Sequence, residues 1–479
     1  MISPQLGQSL AHLQAEVRSR PNDPGAWRDL GLSYREAQLM DEALKAFQRA
    51  LALASKDQRL VMAVAQLCFE TARPAAEQFR GLAKDLPEDL GLVRSLAGAL
   101  AAEGQARDAE ALLSQTLAAR PTWLEGHRLL SVLRTTALQD PDFARSYSQA
   151  ALAEPGHLAL RLAWYQALAT AKDWTGALKV IADARAHLGD HMTLKAAQIV
   201  ALSEMGEGAG DDQIFGPLEE YDDPGLDLCH VRHCLRAGMP DKAAEICRRR
   251  LGTPVANVFW PYLSLAWRLL GDDAAQWLDG APPYVQVMDL DYSQAELDAL
   301  AKALRALHTL NAPYTEQSVR GGTQTDRQLF FRDDPEVQKA RAKITQAVAA
   351  YLAQLPAQDP RHPMLAYPRD DIRFEGSWSV RLGAQGFHTR HTHPRGWISS
   401  AFYVALPEGE ALGPPPSGWF TYGAPPPELG LNLKAYGQVQ PKPGRLVLFP
   451  STLWHGTEPF QDGERLTVAF DVKIPRLTG

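Results

Sequence analysis

Four cysteines in 479 residues, Cys68, Cys229, Cys234 and Cys247, are too few for a disulfide framework. A basic excess is missing as well: 49 Lys and Arg against 56 Asp and Glu leave a net charge of -7. That balance excludes nucleic acid as the main partner, because phosphate binding draws on cationic surface. No apolar run approaches the roughly 20 residues that cross a bilayer. The opening Met1-Ile2-Ser3-Pro4-Gln5-Leu6 has no basic stretch leading into an apolar one. A cytoplasmic protein without a membrane partner is therefore expected. What is present is ordinary for a globular chain, with 45% hydrophobic and 22% charged residues. The length favours two or three folding units with proper cores.

Repetition governs the first half. Pro24 opens a segment in which Trp27, Leu30, Gly31, Tyr34, Ala43, Phe47 and Ala50 fit the tetratricopeptide pattern, whose period is about 34 residues. Later copies keep phase, with Pro121 and Pro155 34 apart and Ala109 and Ala177 68 apart. Stacked repeats of this kind bury a face that no single helix pair can bury alone, and they form a concave groove. Such a groove suits an extended peptide or a partner protein; self-association and support of a neighbouring domain are the competing uses. Gly206 to Asp212 reads as a flexible loop interrupting the series. Cys229-His230-Val231-Arg232-His233-Cys234 places two Cys/His pairs at helical spacing, but no second ligand pair accompanies it, so ordinary residues of a repeat helix are the better reading. Asp279-Gly280-Ala281-Pro282-Pro283 breaks the helical pattern and marks a junction.

The chemistry lies beyond that junction. In His391-Thr392-His393 the two imidazoles point the same way from an extended chain, and His455 follows 62 residues after His393. Isolated histidine pairs are often inert; here a third histidine stands where a strand end delivers it. Ile398 to Leu406 reads as one strand, Arg445 to Pro450 as another and Arg465 to Lys473 as the last. The last alternates, with Leu466, Val468, Phe470 and Val472 on one face and Arg465, Thr467, Ala469 and Asp471 on the other. A guanidinium fork with a hydroxyl two residues on suits the far carboxylate of a dicarboxylic keto acid whose other end chelates a metal. Ser293 to His308 and Pro335 to Leu355 read as amphipathic helices outside the strands, and Leu412 to Pro416 and Ala424 to Pro427 as rim loops.

The chain from about Pro283 resembles the 2-oxoglutarate/Fe(II) oxygenase domain of bacterial proteins that also carry tetratricopeptide repeats. The resemblance rests on Ser318 to Thr325, Gly376-Ser377-Trp378-Ser379-Val380-Arg381, His391 to Trp397, Ser399 to Pro407, Leu448 to Ser451 and Trp454-His455-Gly456. It implies Fe(II) as metal and 2-oxoglutarate as cosubstrate. It also implies that His391 and His455 match the first and distal ligands of a His-x-Asp…His motif, and that Arg465 and Thr467 match the cosubstrate anchor. His393 stands where that motif has its carboxylate. Three arrangements fit: three histidine ligands, two histidines with no carboxylate as in aspartyl/asparaginyl hydroxylases, or a carboxylate recruited from Asp371 or Glu375.

Around this set, Tyr403 is a candidate for the cosubstrate pocket, and Arg320, Gln324, Arg381 and Trp397 are candidates for the substrate pocket. The expected architecture is multidomain α + β. A tetratricopeptide-like helical solenoid occupies 1–278 and a linker 279–290. A double-stranded β-helix (jelly-roll, cupin-like) barrel with flanking helices occupies 291–479. The expected activity is hydroxylation of a peptide or protein recruited by the repeats. A three-histidine cupin-like metalloprotein that does not use 2-oxoglutarate and a non-catalytic repeat protein with a degenerate barrel are the alternatives.

Overall fold

The computed structural model describes residues 2–206, 212–218, 221–280, 284–309 and 317–476. Helices fill the first half, from Pro4–Ser19 to Ala256–Leu270. Many begin on an aspartate whose carboxylate accepts from a backbone N–H of the first turn, as Asp23, Asp57, Asp89, Asp173 and Asp223 do. Each helix pair is joined through a residue with positive φ, and these fall at Gln38, Ala72, Gly104, Gln139, Lys172, Gly206, Gly238 and Gly271. The intervals are 32 to 35 residues, so the tetratricopeptide period runs through the copies whose sequences have drifted. Gly31 is required by close approach: a Cβ there would lie 3.1 Å from the Phe47 ring of the paired helix. Of the loop read at Gly206 to Asp212, residues 207–211 lie outside the described residues, as do 281–283 of the junction.

The second half is built on two antiparallel sheets. Its strands are β1 (Gln286–Asp289), β2 (Val319–Gln324), β3 (Phe374–His388), β4 (Gly396–Ala405), β5 (Phe420–Tyr422), β6 (Gly437–Val439), β7 (Arg445–Pro450), β8 (His455–Thr457) and β9 (Arg465–Lys473). The larger sheet has the order β1-β7-β4-β9-β3-β2 and the smaller β6-β5-β8. Together they form an open jelly roll rather than the closed barrel the sequence suggested. Residues 286–289, read as part of the linker, are the edge strand β1, paired in register from Gln286 opposite Leu448 to Asp289 opposite Arg445.

Alternation on the central strands assigns the two faces. Leu466, Val468, Phe470 and Val472 of β9 pack with Leu304 and Ile344 from the helices Gln294–Arg305 and Pro335–Gln354. On the opposite face, Tyr403, Val447 and Phe449 pack with Phe420 and Val439 of the smaller sheet. The larger sheet is thus a middle layer between helices and the smaller sheet. Between the two sheets the side chains become polar toward one end, where the site lies.

The solenoid grips this half at both of its ends. At the first repeats, the Gln38 side chain donates to Phe374 O at 2.7 Å and accepts from Phe374 N at 2.9 Å, where β3 begins. Arg327 lies over the Phe69 ring, and Arg73 bridges Asp41 and Asp333 at 2.8 Å each. At the last repeat, Trp454 Nε1 donates to Pro261 O at 3.0 Å, and its ring meets Tyr262 edge-on. Arg268 donates to the carbonyls of Gly423 and Lys434 and sits over Tyr436. Part of the surface of the repeats is therefore covered by the protein's own second half.

Candidate metal centre

β3 ends at His388 and β4 begins at Gly396; the seven residues between them carry the histidine pair. The chain there is held as an isolated bridge rather than the continuous strand expected from sequence. His391 and His455 exchange N–H···O bonds, and His393 N donates to Ser451 O at 2.8 Å. His455 is also the first residue of β8, opposite Tyr422. One bridge thus ties the connection from β3 to β4 onto the smaller sheet. It brings His391, His393 and His455 together, with a possible ligand atom of each within 4.8 Å of the others. This is the single group of that kind among the described residues.

Their tautomers follow from their partners. His391 Nδ1 lies 2.7 Å from Thr389 O and His455 Nδ1 lies 2.9 Å from Leu453 O. A carbonyl oxygen only accepts, so each Nδ1 carries the hydrogen and each Nε2 keeps a lone pair. His393 Nδ1 lies 2.7 Å from Asp471 Oδ2, so its Nδ1 carries a hydrogen as well. Burial first, and neighbouring imidazoles second, hold His391 and His455 well below the ordinary histidine range. Three imidazoles that can each offer Nε2 are the donor set a divalent transition metal takes.

Neither carboxylate suggested by sequence joins them. Asp371 is held by Arg373 at 2.6 Å and Glu375 by Arg395 at 2.7 Å. Asp471 is the acid beside the cluster, reached through His393. Its position on the Arg465 face was legible in the alternation of β9, but its pairing with His393 was not.

The histidines line a cavity of about 360 Å³ whose wall includes Gln324, Trp378, Phe420, Arg465 and Thr467. Arg465 is 1% exposed, yet among the described residues its Nε and Nη1 meet no hydrogen-bond acceptor. Its Cζ lies 5.0 Å over the Tyr403 ring, and the buried Tyr403 hydroxyl likewise has no partner among the described residues. Burial lowers the guanidinium from its ordinary value. A buried cation with unused donors is costly unless an anion meets it. That is the arrangement a carboxylate-bearing ligand satisfies, and it shows that these residues fit a dicarboxylate chelated at the neighbouring histidines.

Among the proposed substrate residues, Gln324 lines the cavity and three others do not. Arg320 turns back to donate to Gln317 O and Val319 O at 2.8 Å each. Arg381 stands opposite Leu466 in register, hence on the helix side of the sheet, where it pairs with Glu464. Trp397 is core, its Nε1 donating to Met364 O at 2.8 Å. Trp378, which stands opposite Ala469 on the cavity side, stacks on His393 at 5.8 Å. His388 also lines the cavity, with Nδ1 3.0 Å from Ser318 Oγ, and burial depresses it to about 3. Cys229, His230, His233 and Cys234 are buried in a repeat helix, where His230 stacks on Phe215 at 4.2 Å.

Residues 376–471 match the family model described as "Putative 2OG-Fe(II) oxygenase". The match contains all three histidines, Arg465, Thr467 and Asp471, and places this stretch among domains of the oxygenase kind. No curated protein matches the chain. Among solved structures, a Pseudomonas putida prolyl-4-hydroxylase is similar at 16% identity over 40% of this chain and 94% of its own, with a TM-score of 0.29. HygX from Streptomyces hygroscopicus, solved with nickel, 2-oxoglutarate and hygromycin B, is similar at 12% identity over 40% of this chain and 84% of its own, with a TM-score of 0.28. A tetratricopeptide repeat protein from Parabacteroides merdae is similar at 12% identity over 54% of this chain and 99% of its own, with a TM-score of 0.32. No helix among the described residues is long and apolar enough to cross a membrane.

Proposed function

We propose that this oxygenase-type half is an Fe(II)- and 2-oxoglutarate-dependent dioxygenase that hydroxylates a peptide or protein. His391, His393 and His455 hold the metal through Nε2. Arg465 and Thr467, with the Tyr403 hydroxyl beside them, receive the far carboxylate of the cosubstrate. The observation that carries the reading is Arg465, a buried cation whose Nε and Nη1 meet no acceptor among the described residues, in the same cavity as three converging imidazoles.

Fe(II) with 2-oxoglutarate and dioxygen would supply the oxidising chemistry, one oxygen atom of O2 going to succinate as the keto acid loses carbon dioxide and the other into a C–H bond of the substrate. The protein's residues orient and exclude. Backbone carbonyls of Thr389 and Leu453 fix the His391 and His455 rings, while Phe449 and Phe420 pack against His455 and keep water from that side. Trp378 covers the open face of His393.

A macromolecular substrate is supported by where the second cavity lies. It is about 860 Å³ and opens between repeat residues such as Gly98, Ala101 and Arg128 and the oxygenase-type half at Thr325 to Arg332. Gln324 lines the metal cavity and the next residue, Thr325, lines this one. The two cavities are thus lined by successive residues at the end of β2.

Anaerobic titration of the purified protein with Fe(II) and 2-oxoglutarate tests the reading through the visible charge-transfer band of the chelate. The band is expected in the wild type, lost in His391→Ala and His455→Ala, and displaced to much higher 2-oxoglutarate concentration in Arg465→Ala. Metal binding with no band, and no dependence on Arg465, would instead favour a metalloprotein that does not use 2-oxoglutarate.

A further inference from the structure

The three histidines are not equivalent. Two of them lean on neutral backbone carbonyls, and only His393 leans on a carboxylate. His393 is also the residue that stands where the His-x-Asp…His motif has its anionic ligand. We infer that Asp471 is the positioning residue that returns this missing charge to the metal, one shell further out, through the Nδ1–H of His393. The inference rests on the assignment of the metal to His391, His393 and His455.

Asp471 is built into its place from several elements. Its Oδ2 accepts from His393 Nδ1 at 2.7 Å and its Oδ1 from Ser399 Oγ at 2.6 Å. Because a carboxylate only accepts, Ser399 spends its hydrogen on Asp471 and must accept from Ser451 Oγ, 2.9 Å away. Ser451 O in turn accepts from His393 N at 2.8 Å. The circuit His393, Asp471, Ser399, Ser451 and back to His393 is closed, and it joins β4, β9 and the turn after β7. Gly396 leaves room for it: a Cβ there would meet Ser451 Oγ at 2.6 Å and Asp471 Cβ at 3.0 Å.

The electrostatics favour the same conclusion. Three neutral imidazoles would leave a divalent metal with both positive charges uncompensated by ligands, whereas a carboxylate ligand would cancel one. Asp471 is 7% exposed, and among the described residues no Lys or Arg pairs with it, only His393. Its charge is therefore directed at the ring it touches. A carboxylate accepting from Nδ1–H raises the electron density at Nε2 and makes imidazole a stronger, more anionic donor.

The test uses the full-length protein freed of metal, with Co(II) as probe. Affinity is read from the visible d–d bands, and folding from thermal melts of the apo form. Asp471→Asn keeps an acceptor for His393 and a donor for Ser399, so it removes charge and little else. It is expected to weaken Co(II) binding by about 10- to 100-fold. Asp471→Glu, which keeps the charge, should recover part of that loss. The iron-loaded Asp471→Asn protein should show a more positive Fe(III)/Fe(II) potential, a shift that a packing role would not produce. Wild-type binding with Asp471→Asn affinity and potential unchanged would overturn the inference and leave the metal assignment standing. Failure of the wild type to bind Co(II) would take both down. If Asp471→Asn does not fold, Ser399→Ala carries the test: it frees one carboxylate oxygen, and Co(II) affinity equal to wild type would count against the circuit.

Discussion

His391 and His455, 64 positions apart, exchange both of their backbone hydrogen bonds, N to O at 2.9 Å and 3.1 Å. The metal-type side chains are therefore brought together by the main chain, and the bridge survives removal of either ring. His455→Ala should abolish Co(II) binding while moving the apo melting temperature by only a few degrees, because a buried large-to-small change elsewhere costs about 2–5 kcal/mol and this one relieves a crowd of desolvated imidazoles. Calorimetry of apo and Co(II)-loaded protein would separate the two effects.

Arg465 makes a prediction with opposite signs in the two states. In the apo protein its unused donors are a burden, so Arg465→Met should raise stability to urea, by about 1 kcal/mol or more. In the presence of Fe(II), the same change should weaken 2-oxoglutarate binding at least ~30-fold, as expected when one member of a buried charge pair is removed. Apo stability that falls in Arg465→Met would mean that the guanidinium is already satisfied without a ligand.

Gln38 holds the start of β3 with both ends of its amide. Gln38→Ala leaves Phe374 N–H and C=O buried without these partners, a loss of about 2 kcal/mol or more. Because Gln38 has φ of 58°, Gln38→Gly is the useful second variant: it removes the same amide and relaxes the turn. Urea unfolding should place the glycine variant above the alanine variant.

Asp279 supplies a pH dependence. It is buried against Ser264, and burial pushes its carboxyl up from 3.8 to about 7. The folded protein thus holds a proton there that the unfolded chain releases near pH 4. The stabilisation from the protonated form is full below that and is lost as the pH rises toward about 7. Asp279→Asn keeps a neutral, hydrogen-bonding side chain, so its stability relative to wild type should grow from pH 4 to pH 8 in parallel urea titrations. A constant difference would refute the assignment.

Much of the site was legible because strand alternation is a local property. The strand read at Arg465 to Lys473 is β9, and the face that carries Arg465, Thr467 and Asp471 is the cavity face. Parity across strands was not legible. Arg381 adjoins the motif in sequence, but it stands opposite Leu466, and a residue opposite a helix-facing leucine points away from the metal; Trp378 has the other parity and lines the cavity. β1 escaped notice because four mixed residues carry no period of their own and become a strand only through β7. Asp471 lay on the right face without a role, since its partner His393 is 78 residues earlier and no short spacing encodes the pair.

The grip of both solenoid ends has a consequence for how the protein is made. Synthesis proceeds from the N-terminus, so the helical half emerges first and folds without the part it will hold. Gln38 waits for Phe374 through 336 further residues, and Tyr262 stays uncovered until Trp454 leaves the ribosome. His455 and Arg465 follow the whole helical half, so completing this grip and completing the reactive pocket are a single event.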